Sequence, residues 1–194
     1  MRTRENILLR LLFALGITSA ALFFAAVIVL FATQHRSVAA APSFRVVRVG
    51  GIEYEAMLGR PIDPANAVDR QIVAGLRAQQ RHLAPGQMLF GAFISATNNS
   101  SSPLATARRI ELRDEAGHVY RPLRLPATNP YAYSQRELRP GVRIPALGSV
   151  ADDNLAATGR LLLFRIPAAA YNGGQALELA IHNPSATGTA SLTV

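Results

Sequence analysis

The sequence predicts an all-β domain that follows a single N-terminal transmembrane α-helix, and two observations carry this prediction. Residues 11–32 form an apolar run of 22 residues without a charge, whereas residues 44–194 contain several short segments in which apolar and polar residues alternate. As a helix, the apolar run would span about 33 Å, which is enough to cross a hydrocarbon core of about 30 Å. Alternation with a period of two is typical of strands that bury one face.

Charge around the apolar run predicts how the chain is oriented in the membrane. Three arginines precede the run within residues 1–10: Arg2, Arg4 and Arg10. Because cytoplasmic flanks are enriched in arginine and lysine, residues 1–10 are expected to form a cytoplasmic tail. Residues 33–43 then form a tether, and residues 44–194 form one extracytoplasmic domain. The sequence therefore predicts an uncleaved signal-anchor with a single span in the cell membrane.

Two alternatives to this topology remain open. Three further arginines follow the run closely, at Arg36, Arg45 and Arg48, so the opposite orientation is the first alternative. Small residues at positions 38–42 resemble a signal-peptidase site, so cleavage and secretion are the second. The run is longer than the roughly 7–15 apolar residues of a signal peptide, which favours the uncleaved anchor.

Strand-like segments recur along the domain. Gln87–Thr97 is apolar on one face and partly apolar on the other, as expected of a central strand. Arg109–Arg113 alternates sharply, and the turn at residues 114–117 should return the chain as a hairpin strand over His118–Leu125. Further strands are predicted at Gly51–Leu58, Arg160–Ile166, Ala176–His182 and Ala190–Val194. A short amphipathic helix is predicted within Pro64–Leu76, where Val68, Ile72 and Leu76 are spaced four apart.

Together these elements predict an immunoglobulin-like β-sandwich of about seven or eight strands with one short helix. The segments that carry a family resemblance are LFGAFISATNNSSSPL (Leu89–Leu104), RIELRDEAGHVYRPL (Arg109–Leu123), LRPGVRIP (Leu138–Pro145), GRLLLFRIP (Gly159–Pro167) and LELAIHNP (Leu177–Pro184). Their order resembles the telokin-like, immunoglobulin-like extracytoplasmic domains of uncharacterised bacterial membrane proteins and lipoproteins. The positions that match the pattern of these domains are Asn98, Asp114, Gly117, Tyr120, Gly159, Phe164 and Pro167.

The resemblance covers about residues 51–184 and implies a fold and an extracytoplasmic location. It implies no catalytic site, because the family has none in common. The chain departs from the family pattern in a long insertion at Asn129–Gly148, in the helix within Pro64–Leu76 and in the helical anchor.

Composition and missing motifs exclude several kinds of chemistry. The chain has no cysteine, and all 20 of its basic residues other than histidine are arginines, so thiolate, Cys-metal and lysine Schiff-base chemistry are excluded. It lacks the GxSxG, HExxH, SxxK, GxGxxG and Walker motifs, and its four histidines are scattered. Asp152-Asp153-Asn154 is interpreted as a loop or helix cap and not as a calcium site. We therefore expect no catalytic residues, no cofactor and no metal; a cleft that joined a histidine to two carboxylates would indicate the alternative, an enzyme.

One segment is a candidate binding surface. Between residues 121 and 143 the chain carries five arginines, two tyrosines and a single acid, Glu137. Arginine forks bind phosphates and carboxylates, and exposed tyrosines supply rigid contact area. The candidate binding residues are Arg121, Arg124, Tyr131, Tyr133, Arg136, Arg139 and Arg143. The alternative is a solvated loop whose tyrosines fill the end of the sandwich.

These features predict a non-enzymatic module that binds an envelope protein or an anionic envelope component outside the membrane. Nucleic acid is not an expected partner, because no recognition-helix or RNP-type motif is present. The alternative function is a structural or accessory subunit that assembles through its anchor helix, where small residues such as Gly16 and Ser19 would favour helix packing.

Overall fold

The computed structural model describes residues 46–154, 157–171, 177–182 and 189–194. The predicted tail, span and tether, at residues 1–10, 11–32 and 33–43, lie outside these ranges. In the described part of the chain, no helix combines the length and apolarity needed to cross a membrane. The described residues from 46 onwards belong to one compact unit.

The described residues form eleven strands and a few short helices. In chain order the strands are β1 (Val46–Val49), β2 (Ile52–Ile62), β3 (Gln87–Asn98), β4 (Leu104–Ala105), β5 (Arg109–Arg113), β6 (Val119–Tyr120), β7 (Glu137–Leu138), β8 (Arg143–Ile144), β9 (Arg160–Pro167), β10 (Glu178–His182) and β11 (Thr189–Thr193). The helices are α1 (Ala67–Ile72), α2 (Ala78–Arg81), α3 (Val150–Asp153) and a 3₁₀ turn at Ala168–Ala170. The prediction of an all-β domain with little helix is confirmed.

Two antiparallel sheets make up the sandwich. In the first sheet the order is β1-β2-β3, and β3 then pairs with both β8 and β9 along different parts of its length. In the second sheet the order is β11-β10-β5-β6, and β4 pairs with β7 as a separate ribbon. Because β3 has neighbours on both sides, it is the central strand that its apolar faces predicted.

The main core lies between the two sheets. The first sheet contributes Tyr54, Phe90 and Phe164, and the second contributes Leu112 and Leu179, all of them buried. A second apolar cluster covers the opposite face of β3, where Leu89 and Phe93 pack with residues of α1 and of the loop around Tyr131. Alternation along β5 and β10 therefore corresponds to burial against the first sheet, whereas β3 is buried on both faces.

The predicted return strand His118–Leu125 is wrong in its length. Only Val119–Tyr120 pairs with β5. Pro122 has no backbone N–H to continue the ladder, and the N–H of Leu123 instead donates to the carbonyl of Leu163 on β9, at 2.6 Å. The segment after β6 thus leaves the second sheet and contacts the first, and this crossing creates the groove described below.

The turn between β5 and β6 is held by one carboxylate. Asp114 accepts hydrogen bonds from the backbone N–H of His118 (2.8 Å) and from the hydroxyl of Tyr120 (2.7 Å), and it faces Nδ1 of His118 at 2.9 Å. Partial burial raises the pKa of this carboxyl, but the hydrogen bonds from Tyr120 and His118 outweigh burial and lower the pKa from 3.8 to about 2.

This lowered pKa predicts how the hairpin responds to acid. Since the folded pKa lies below the unfolded one, the ionised carboxylate stabilises the fold above pH 3.8, and the contribution is lost as the pH falls towards 2. In urea titrations, the Asp114→Asn variant should therefore lose less stability than the wild-type chain between these pH values. Asp153→Asn, at the exposed end of α3, is the control. Its free energy of unfolding should depend on pH as that of the wild-type chain does. If the wild-type chain and Asp114→Asn lost the same free energy of unfolding over this pH range, the prediction would be contradicted.

Candidate functional site

A surface groove lies where β5 of the second sheet approaches β9 of the first. It has three adjoining sections. The Glu111 section (about 820 Å³) includes Arg109, Glu111, Arg121 and His182. The central pocket (about 490 Å³) lies between residues 122–125 and residues 132–136. The Arg77 section (about 430 Å³) lies beside the start of α2.

The three sections adjoin, because neighbouring sections share lining residues. Arg108, Ile110, Pro122 and Gln135 line both the Glu111 section and the central pocket. Arg124, Leu125 and Ala127 line both the central pocket and the Arg77 section.

Backbone hydrogen bonds fix the walls of the central pocket. One wall is attached to β9 by the bond from Leu123 to Leu163, and the other by the bond from the N–H of Tyr133 to the carbonyl of Leu161 (3.0 Å). At the mouth, Arg136 donates its N–H to Oγ1 of Thr106 (3.0 Å) and accepts from the N–H of Thr106 (2.9 Å). The backbone that presents the arginines is therefore held in place without a ligand.

Four arginines line the central pocket: Arg108, Arg124, Arg136 and Arg160. Among the described residues that line this pocket, none is acidic. Nη1 of Arg160 donates to the carbonyl of Pro130, and Nη2 of Arg136 donates to Oγ of Ser134 at 3.2 Å. Both of these acceptors are neutral, so neither bond compensates a positive charge.

Arg160 is the least solvated of these groups. Burial lowers the pKa of Arg160, and the nearby charge of Arg136 lowers it further. Arginine stays protonated in proteins, so Arg160 keeps its charge although burial and the charge of Arg136 both disfavour it. The Nε atom of Arg160 is buried and has no hydrogen-bond partner among the described residues. The pocket thus concentrates positive charge and leaves a donor unused.

Glu111 is the single acid among the described residues that line the groove. It is 3% exposed and accepts from Nε and Nη2 of Arg109 at 3.0 and 3.1 Å. Nε of Arg121 lies 3.6 Å away, and Nε2 of His182 lies 3.3 Å away. Burial raises the pKa of Glu111, but the hydrogen bonds and charge of Arg109, with those of His182, outweigh burial and lower it. This carboxylate is already paired, and the groove remains strongly positive.

The two tyrosines of the predicted surface are not exposed contact area, and this expectation is corrected. Tyr131 is 5% exposed and its hydroxyl accepts from Nδ2 of Asn154 (2.8 Å). The Tyr133 hydroxyl donates to the carbonyl of Ala107 (2.7 Å), and burial raises the pKa of Tyr133. Their apolar rings pack against the core clusters, so the tyrosines hold the loop on the sandwich, as the alternative interpretation expected.

The structure divides the predicted arginines into two sets. Arg121, Arg124 and Arg136 line the groove. Arg143 instead pairs with Asp152, with Nη2 3.2 Å from Oδ1, and Arg139 is exposed in the turn that follows β7. Asp152 also accepts from the N–H of Gly148, in keeping with the interpretation of that segment as a loop or cap.

Sequence reasoning missed four groove arginines: Arg77, Arg108, Arg109 and Arg160. Two adjacent arginines, Arg108 and Arg109, stand at the start of a predicted strand, and this pair could have indicated a basic surface. Arg160 gives none, because it begins an apolar strand 24 residues after Arg136 and joins the pocket only through the pairing of distant segments.

The described residues contain no group of three or more histidine, cysteine, aspartate or glutamate side chains placed to hold a metal ion. Fold and groove together define a class: a β-sandwich domain with an arginine-lined groove. No protein-family model matches the chain, and no curated protein matches it. A solved structure at 2.2 Å, of a conserved hypothetical protein from Bacillus anthracis, is similar to this chain, with a TM-score of 0.41 and 9% identity over 78% of this chain and 92% of that one.

Proposed function

We propose that this chain is a single-pass membrane protein whose extracytoplasmic domain binds an anionic component of the cell envelope without catalysing a reaction. The observation that supports this most is the charge of the groove. Seven arginines and one acid are found among its described lining residues; the arginines are Arg77, Arg108, Arg109, Arg121, Arg124, Arg136 and Arg160.

Physical chemistry favours an anionic occupant for such a groove. Guanidinium groups grouped on a concave surface raise the local concentration of anions, and each can form two parallel hydrogen bonds to one carboxylate or phosphate. A cleft of connected sections suits an extended ligand better than a single small ion. An acidic envelope protein is the other occupant that this surface would accept.

Two further parts of the proposal rest on sequence. The immunoglobulin-like, telokin-like relationship is supported by the two antiparallel sheets and by the hairpin at Asp114–Gly117. Location at the cell membrane is supported by the apolar run at residues 11–32. Assembly through the anchor helix remains the alternative prediction, and replacing that run with an unrelated apolar helix would disrupt assembly only in that case.

The groove can be tested by a charge-matched pair of double variants. Arg124→Ala with Arg136→Ala removes two exposed arginines from the groove, and Arg81→Ala with Arg139→Ala removes two exposed arginines from elsewhere. Binding of the detergent-solubilised full chain to fluorescein-labelled polyglutamate and polyphosphate is measured by anisotropy at physiological ionic strength. We expect the groove variant to bind at least one of the polymers about tenfold or more weakly, equivalent to roughly 1.4 kcal/mol, because charge-assisted contacts are lost.

The control variant should bind within about twofold of the wild-type chain, since long-range effects between exposed charges are screened over about 8 Å. Equal weakening in both variants would indicate a diffuse effect of net charge and would contradict a binding groove. Capture of an acidic protein by the wild-type chain and not by the groove variant would identify the other occupant.

A further inference from the structure

We propose that the central pocket is a phosphate subsite, which receives the phosphate monoester of a ligand whose organic part extends towards the Glu111 section. This inference rests on the proposed function, because it names the chemistry of the anion that the groove binds. It is carried by the four arginines of the pocket, by the absence of an acid among its described lining residues and by a comparison inside the same groove.

Glu111 shows how a carboxylate is satisfied in this groove. Arg109 donates two hydrogen bonds to it, at 3.0 and 3.1 Å, and Arg121 and His182 lie within 3.6 Å of it. A carboxylate carries one charge and two oxygens, and one guanidinium fork can bind both oxygens. The central pocket offers four guanidinium groups and no acid among its described lining residues, so these groups lack the anionic partner that Arg109 has in Glu111.

A phosphate monoester fits this surplus of donors. It carries a charge of about −1.5 to −2 at neutral pH and three acceptor oxygens, so several forks can bind it at once. It would also reduce the repulsion between Arg136 and Arg160, which, after burial, is the second effect that lowers the pKa of Arg160. Arg160 lines the pocket, and the acceptor of its Nη1, the carbonyl of Pro130, is neutral, so the charge of Arg160 is still available to such a group.

The shape of the groove accounts for the rest of the ligand. A volume of about 490 Å³ is more than a phosphate alone requires and lies in the range of small-molecule pockets, roughly 300–1,000 Å³. Pro122 is exposed, lines both the pocket and the Glu111 section, and offers apolar surface next to the charged end. A ligand with a terminal phosphate and a less polar body would place the phosphate in the central pocket and the body against this apolar surface.

The test uses phenyl phosphate and benzoate, which share a ring and differ in the anionic group. Titration calorimetry of the detergent-solubilised full chain should show phenyl phosphate binding at least about tenfold more tightly than benzoate. Arg136→Lys keeps the charge but loses the fork and should reduce this preference to about threefold or less. Arg139→Lys, outside the groove, should leave it unchanged. Both positions are exposed, so the variants should fold.

A lipid headgroup and a soluble phosphorylated compound present the same chemistry, and a further arm separates these two sources. Short-chain phosphatidic acid that binds as tightly as phenyl phosphate, with the same sensitivity to Arg136→Lys, identifies a lipid source, whereas phenyl phosphate binding alone identifies a soluble one. Equal affinities for benzoate and phenyl phosphate would overturn the phosphate subsite. If the Arg124→Ala, Arg136→Ala variant still binds polyglutamate or polyphosphate more weakly than its control does, the proposed anion-binding function stands without this subsite.

Discussion

Replacing Leu179 with alanine is expected to lower the free energy of unfolding by about 2–5 kcal/mol, the range for buried leucines. Leu179 lies on β10 with no exposed surface, opposite Leu112 of β5. It belongs to the core cluster that also contains Phe90 and Phe164 of the first sheet. Removing its branched end would leave a cavity between the sheets and remove apolar area from the interface that holds the sandwich together.

Thermal unfolding of the full chain measures this effect. With about 2–4 °C of Tm for each kcal/mol in a domain of this size, the loss corresponds to roughly 10 °C. Leu147→Ala is the matched control, because Leu147 is 75% exposed and the same substitution there should change stability by no more than about 0.5 kcal/mol. A loss at Leu179 as small as the loss at Leu147 would contradict the packing of the two sheets.

Asn98→Ala is expected to destabilise the fold by about 3 kcal/mol, because one side chain connects three segments. Asn98 ends β3 with no exposed surface, and its Nδ2 donates to the carbonyls of Ser102 and Leu138, both at 2.8 Å. Its Oδ1 accepts from the N–H and the hydroxyl of Ser100. Alanine would leave the buried Leu138 carbonyl without this donor, which costs about 1–3 kcal/mol, and would add the loss of the loop contacts.

The adjacent residue provides the control for this prediction. Asn99 is exposed, and Asn99→Ala should stay close to the wild-type free energy of unfolding in urea titrations. Asn98→Asp keeps an acceptor for Ser100 but loses the Nδ2 donor, so we expect a destabilisation near that of alanine if the bonds to Ser102 and Leu138 dominate. A stability like that of Asn99→Ala would show that the hydrogen bonds of Asn98 contribute little.

Local pattern was sufficient to predict the elements of the sandwich that bury a regular face. The central position of β3 followed from apolar residues on both of its faces, and α1 lies within the predicted helical segment. The hairpin partner of β5 was predicted too long, because alternation does not report on hydrogen bonding. Pro122 interrupts the ladder, and Leu123 pairs with β9, a strand 40 residues away in sequence.

The candidate site was predicted only in the part that is continuous along the chain. Arg121, Arg124 and Arg136 lie in one arginine-rich segment, and the structure brings them to one groove. Arg160 could not be assigned from sequence, because its place beside Arg136 depends on the pairing of β9 with the loop around Tyr131. The exposure of the two tyrosines could not be predicted from local pattern either. Residues distant in sequence bury the ring of Tyr131 and partly bury that of Tyr133.

The crossing of Leu123 from one sheet to the other gives the groove a thermodynamic role in the fold. Arg108 precedes β5 in the second sheet and Arg160 begins β9 in the first, so an occupant of the central pocket would contact both layers at once. A ligand of this kind is bound only by the folded chain, and folding and occupancy are then linked by mass action, with about 2.7 kcal/mol gained at a ligand concentration of 100 Kd. The supply of such an anion would thereby raise the fraction of the chain that is folded.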